Sequence, residues 1–230
     1  HRLDFILKIG GNIMLVGERM SSPVLTITPD VPVQDALARM HKDNVRRYPV
    51  VDKRGKLIGI VTDTDLMNAT PSEATTLSVW EINYLLSKIT VERVMAKDVI
   101  TIDEDTPIEE AARIMSDNKI SSLPVMRGES LVGLITETDV FNILLEMMGA
   151  RTPGVRLTVE VLNTRGKLRE LATIISDLNG DILGMAAILG KRTETRIVTL
   201  KVDGIKLETL REAVLPVVEQ VVDIRSMVIE

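Results

Sequence analysis

The chain has 230 residues, 45% of them hydrophobic and 27% charged, with a formal net charge of −5; this is globular material for two or three small domains, and its acidic balance argues against a dedicated nucleic-acid binder, which carries a basic face. There is no cysteine and only two histidines, His1 and His41, so disulfide frameworks, thiolate metal sites, histidine-metal chemistry and Ser-His-Asp catalysis have almost no raw material. No apolar run approaches the ~18 residues of a membrane span and no small-residue cleavage site follows Asp4 and Lys8, so neither a span nor a signal peptide is indicated and a cytoplasmic location is the default.

Residues 1–13 differ in character from the rest of the chain and stop at Met14. Gly10-Gly11 can be encoded by a bacterial ribosome-binding sequence at a suitable distance from a start codon at Met14. The segment therefore reads as a leader or tag-like piece; the alternative is a genuine amphipathic N-terminal element.

From Met20 an internal repeat is visible by subtraction. Met20 and Met95, Thr26 and Thr101, Pro32 and Pro107, and Pro49 and Pro124 each stand 75 residues apart. Gly59 and Gly133 stand 74 apart, and the lost residue falls in the turn Asp52-Lys53-Arg54-Gly55, where a slip is tolerated. After each proline comes helical spacing, Val33, Ala36, Leu37 and Met40 in the first copy and Ile108, Ala111, Ala112 and Met115 in the second, with proline at the first helical position. Tyr48-Pro49-Val50-Val51 and Leu123-Pro124-Val125-Met126 read as buried strands, followed by Leu57–Val61 and Leu131–Ile135. Each copy is predicted as strand, helix, strand, strand, helix, over 14–70 and 91–148. Between them, 71–90 holds the capping box Ser78-Val79-Trp80-Glu81 and is predicted as a packed helical linker, with Trp80 and Tyr84 in structural roles.

The repeat closes on Gly59-Ile60-Val61-Thr62-Asp63-Thr64-Asp65 and Gly133-Leu134-Ile135-Thr136-Glu137-Thr138-Asp139. Each is the end of a strand, then a helix starting at the threonine. Unpaired N–H groups and the positive end of the helix dipole favour a phosphate there, the Thr62 or Thr136 hydroxyl can donate to it, and the Asp65 or Asp139 carboxylate can accept both hydrogen bonds of a ribose diol. Thr-x-x-Asp before an apolar run is also a plain capping box, so both readings stand.

On these motifs the two copies resemble a tandem pair of CBS domains, a Bateman module, over about residues 15–148. That resemblance implies two clefts for adenosine-containing ligands, AMP, ADP, ATP or S-adenosylmethionine. It implies that Asp65 and Asp139 hold the ribose and that Thr62 and Thr136 lie near phosphate. Val45-Arg46-Arg47 and Ile120-Ser121-Ser122 would line the clefts, with Val45 and Ile120 against the base. On charge and reach Arg46 and Arg47 are the best phosphate partners. Their counterparts are Ser121 and Ser122, so the two clefts should not bind alike.

Gly149–Gly154 marks a linker by composition, and 155–230 begins a new unit. Strand 155–162, helix 167–178, strands 182–189 and 196–202, helix 206 to about 217 and strand 222–229 give β-α-β-β-α-β, with Pro216 ending the second helix early or bending it. This order, with the loop Asn163-Thr164-Arg165-Gly166-Lys167-Leu168, resembles the ferredoxin-like ACT domain. In that family the loop can bind an amino acid through helix N-terminal amides. Arg165 stands where the family usually has proline.

The fold class expected is therefore α/β (α+β), a CBS pair followed by a βαββαβ ACT domain. The combination resembles the bacterial acetoin-utilization CBS–ACT proteins. It implies a non-catalytic regulatory protein that senses an adenine nucleotide, with a small metabolite or amino acid at Asn163–Gly166, that self-associates as a homodimer or larger homo-oligomer, and that acts on an unidentified partner without nucleic acid or membrane. Two alternatives remain. An enzyme would need carboxylates with differentiated acidity, whereas Asp65 and Asp139 are copies of each other. A structural dimerisation module would have empty clefts.

Overall fold

The structure, a computed structural model, describes residues 14–69 and 88–228. The expectations for residues 1–13, for the capping box at Ser78 and for Trp80 and Tyr84 lie outside the described residues. The chain separates into a unit ending at Val140 and one beginning at Phe141. Among the described residues no helix is long and apolar enough to cross a membrane.

In the first unit the two copies have matching helices. Helix α1 is Val16–Arg19 and α2 is Val33–Asp43. Along α2, Val33, Ala36 and Met40 are buried, the stripe that the spacing predicts. Pro32 stands one residue earlier than expected, at the N-cap with ψ 146°; its fixed φ suits that position equally, and it gives up no helical hydrogen bond. The helix stops where Asn44 turns left-handed at φ 53°. Strands β1 (Arg47–Val51) and β2 (Leu57–Thr62) form an antiparallel hairpin. At its turn the Asp52 carboxylate accepts from the Arg54 and Lys56 amides at 2.8 and 2.9 Å. Helix α3 is Asp63–Asn68.

The second copy repeats this with α4 (Val91–Val94), β3 (Ile102–Asp103), α5 (Ile108–Asn118), β4 (Ser122–Arg127), β5 (Ser130–Thr136) and α6 (Glu137–Met147), a helix that starts in this unit and continues past Val140. Lys119 takes the left-handed position matching Asn44, at φ 54°. The first strand of each copy is shorter than expected: β3 has two residues, parallel to β4, and its counterpart is one bridge between Ile27 and Val50.

The copies are completed by exchange. The segment ahead of the first copy bridges Leu15 to Pro107 and Ser21 to Leu134, and the segment ahead of the second bridges Thr90 to Pro32 and Ala96 to Ile60. Val16 N–H donates to Thr106 O and Val91 N–H to Val31 O, both at 2.9 Å. Val91 is fully buried in the apolar cluster of the first copy, with Val33, Met40, Tyr48 and Val61. Each fully buried valine side chain contributes about 1.5–3 kcal/mol of burial, so neither copy has its whole core without the other's leading segment.

The second unit is β6 (Gly154–Leu162), α7 (Lys167–Asp177), β7 (Asp181–Leu189), β8 (Thr195–Asp203), α8 (Leu207–Val214) and β9 (Gln220–Met227). Its sheet order is β7-β8-β6-β9, antiparallel throughout, which is the ferredoxin-like βαββαβ arrangement. Alternate residues of β6, Val155, Leu157, Val159 and Val161, form its core with Leu171 and Ile175 of α7 and Leu210 and Val214 of α8. Helix α8 ends at Val214 and a 3₁₀ turn holds Pro216, the early stop expected of a residue with no amide proton to donate.

Candidate functional site: clefts between the repeats

Both Thr-x-x-Asp segments form closed capping boxes. Asp65 Oδ2 accepts from the Thr62 amide at 2.9 Å and from the Thr62 hydroxyl at 2.7 Å, while the Asp65 amide donates back to Thr62 Oγ1 at 3.2 Å. At Asp139 the same bonds to Thr136 measure 2.8, 2.7 and 3.3 Å. The threonine hydroxyls thus donate within the chain. In each box Oδ2 accepts both bonds that reach the carboxylate, and Oδ1 takes part in neither.

The copies differ in the amides left over. The first amide of each helix is taken alike, Asp63 N–H by Arg46 O at 2.9 Å and Glu137 N–H by Ser121 O at 3.1 Å. In α3 the next amide, Thr64, donates to the Asp63 carboxylate at 2.7 Å. At the start of α6 the residue matching Asp63 is Glu137, and Thr138 opens into a cleft.

That cleft, about 620 Å³, is walled by Ser21 and Pro23–Leu25 of the leading segment, by Asn44–Arg46 ahead of β1 and Arg47 at its start, and by Leu134, Thr136 and Thr138 of the second copy. It brings Val45, Arg46 and Arg47 of one copy to Thr136 of the other, and its lining holds apolar residues, Val24, Leu25, Val45 and Leu134, as well as the polar Arg46, Thr136 and Thr138. The volume is that of a small-molecule site. Arg46 is exposed and Arg47 half-buried. Arg47 donates to Ser121 Oγ at 2.7 Å. Burial pushes the Arg47 guanidinium below its ordinary range, the Asp63, Glu137 and Asp139 carboxylates work against that, and Arg46 adds to it; an arginine remains charged at neutral pH regardless.

Of the other expected residues, Ile120 is half-buried and Ser122 is buried, paired with Thr136 across β4 and β5. Asn163–Gly166 line a separate pocket in the second unit. Sequence reasoning missed the leading segment Ser21–Leu25, which meets Leu134 more than a hundred residues away. A pair of bonds between Ser21 and Leu134, at 2.9 and 3.2 Å, holds it there. The available signal was the pairing of Met20 with Met95, which marks both leading segments as part of the repeat.

The CBS domain family pattern matches residues 16–72 and 91–146. A CBS domain-containing protein of Dictyostelium discoideum is 32% identical over 136 residues, 59% of this chain and 94% of that protein. The L-aspartate semialdehyde sulfurtransferase of Methanocaldococcus jannaschii is 32% identical over 129 residues, 56% of this chain but 23% of the larger protein. Among solved structures, a Vibrio cholerae protein described as an acetoin utilization protein (AcuB) is 28% identical with a TM-score of 0.50, covering 61% of this chain and 96% of that one.

Proposed function

The chain belongs to the CBS domain family, and on that premise we propose that it is a non-catalytic sensor of adenine nucleotides, binding AMP, ADP or ATP between its two repeats. The observation that carries this reading is the cleft in which Val45, Arg46 and Arg47 meet Thr136 and Thr138. Apolar lining residues suit a base, and arginines beside a helix start suit phosphates. Asp139, and Asp65 in the other copy, retain Oδ1 for a ribose hydroxyl. The two arginines favour phosphate over the sulfonium cation of S-adenosylmethionine. Thermal unfolding with AMP, ADP, ATP and S-adenosylmethionine tests the reading. A nucleotide at about 100 times its dissociation constant adds roughly 2.7 kcal/mol, and Asp65→Ala with Asp139→Ala removes the shift. A double variant that responds like the parent sinks the ribose assignment.

The second unit, in this reading, is an ACT domain taking a small metabolite at Asn163–Gly166. Self-association has support in β7, an edge strand with Ile188 65% and Leu189 72% exposed; such an edge offers unpaired backbone groups to a second copy. A homodimer or larger assembly by light scattering is the expected result, and a monomer at micromolar concentration is the contrary one. The likeness to the Vibrio cholerae acetoin utilization protein supports a role in acetoin utilization; a cytoplasmic location and action through a partner protein are part of the same proposal. The competing reading, a dimerisation module with empty clefts, is favoured by the closed capping boxes, which account for both Thr-x-x-Asp pairs without a ligand. The same titration separates the two: no nucleotide shift in the parent supports empty clefts.

A further inference from the structure

The loop between β6 and α7 opens on a pocket of about 450 Å³ whose charged lining residues are all cations: Arg165, Lys167 and Arg169 from the loop and first helical turn, and Arg196 from β8. No aspartate or glutamate is among the lining residues. Lys167 is engaged, donating to Glu170 Oε2 at 2.8 Å. Among the described residues Arg165, Arg169 and Arg196 make no ion pair. Three guanidinium groups without an ion-pair partner around one concavity, in a chain with a net charge of −5, give it a local positive potential that favours an anion. Val161, Leu168 and Val198 give the same pocket an apolar part. Gly166, also in the lining, takes φ 95°, and an added Cβ there would meet nothing within 4 Å.

An α-amino acid is a poor match for this lining. Its carboxylate would be welcome, but its ammonium would face three arginines and no carboxylate. We propose that the pocket binds a small metabolite with two or more negative charges, as phosphate or carboxylate groups, each held by the planar fork of an arginine. This rests on the reading of the second unit as metabolite-binding and replaces the zwitterionic ligand with a polyanion.

The test is calorimetry on the full chain at low ionic strength, with pyrophosphate, citrate and each of the twenty amino acids as probes. The variants are Arg165→Gln with Arg196→Gln, both exposed positions, and separately Arg46→Gln with Arg47→Gln. Pyrophosphate or citrate should bind, weaken tenfold or more in the first variant, and change less than twofold in the second. Binding should also weaken as salt rises. Pyrophosphate alone would mark a phosphorylated metabolite, and citrate alone a polycarboxylate. Loss confined to the Arg46 and Arg47 variant overturns the proposal, because the anion then sits between the repeats. An amino acid that binds in preference to both anions overturns the ligand class; if its binding changes with Arg165→Gln and Arg196→Gln the loop remains a metabolite site, and if it does not the loop loses that role as well. No binding by any probe sinks both.

Discussion

Arg47, in the first repeat, donates to the hydroxyl of Ser121, in the second, at 2.7 Å, and so ties a wall of one cleft to the residue that matches Arg46 in the other copy. Burial makes this half-buried guanidinium dependent on its partners. Hydrogen bonds to charged groups are worth about 1.5–3 kcal/mol, and partial exposure discounts that, so a double-mutant cycle of Arg47→Ala and Ser121→Ala should give a coupling of about 1 kcal/mol in denaturant unfolding. A coupling of zero would mean that Arg47 is held by the nearby carboxylates alone.

The same arginine should separate nucleotides from nucleosides. Arg46 and Arg47 face the cleft that holds Thr136 and Thr138, and a diphosphate brings charge to them that adenosine lacks. Arg46→Ala with Arg47→Ala should weaken ADP at least tenfold, about 1.4 kcal/mol, while adenosine changes little. The difference should shrink with added salt because Arg46 is exposed. Titration calorimetry of both ligands decides it: equal losses would assign the arginines to the fold instead of to phosphate.

Much of this could be read from the chain because its signals are local. The stripe Val33, Ala36 and Met40 and its copy Ile108, Ala111 and Met115 are buried as their spacing predicts, and both hairpins and the βαββαβ order come from alternation and turn residues. The capping boxes were legible as well, though the sequence could not tell that Asp65 and Asp139 commit Oδ2 to their own threonines. What escaped was long-range. Nothing in the neighbourhood of Ser21 reveals that it pairs with Leu134, nor could spacing show that one cleft draws on both repeats. The short helices α1 and α4, four residues each, are held by contacts with the opposite copy and have too few turns to leave a periodic trace.

In the second unit, Asp223 is placed between two arginines. It accepts from Arg225 and, at 2.9 Å, from Arg156 across the β6–β9 pair. Arg225 first, then Arg156, hold its carboxyl below the usual range, against a smaller opposing effect of burial. A carboxyl depressed in the folded state binds fewer protons there than in the unfolded chain, so its contribution is present above the unfolded value near 3.8 and fades as pH falls through the folded one. Asp223→Asn should therefore be less stable than the parent at pH 7, with the gap closing below about pH 3.8. Urea titrations at pH 7, 4 and 3 measure this, and a gap independent of pH would assign the loss to packing.

The glycines of the repeated motif are explained by the exchange between copies. An added Cβ on Gly133 would run into the Met20 side chain, and one on Gly59 would meet Met95 Sδ at 2.6 Å and the Ala96 carbonyl oxygen at 2.9 Å. The methionines and glycines that match by sequence offset are thus packed crosswise, Met20 on the second copy's glycine and Met95 on the first's. They are not equivalent as obstacles. The atoms nearest Gly133 belong to a flexible thioether that can turn aside. The carbonyl beside Gly59 is fixed, because Ala96 and Ile60 exchange two backbone bonds of 2.9 Å. Overpacking a close-fitting site costs about 1–3 kcal/mol. Gly59→Ala should fall in that range and Gly133→Ala below it, at about 1 kcal/mol or less. Denaturant unfolding of the two variants compares them directly, and equal losses would mean that the methionine side chains, not the Ala96 carbonyl, set the limit at both glycines.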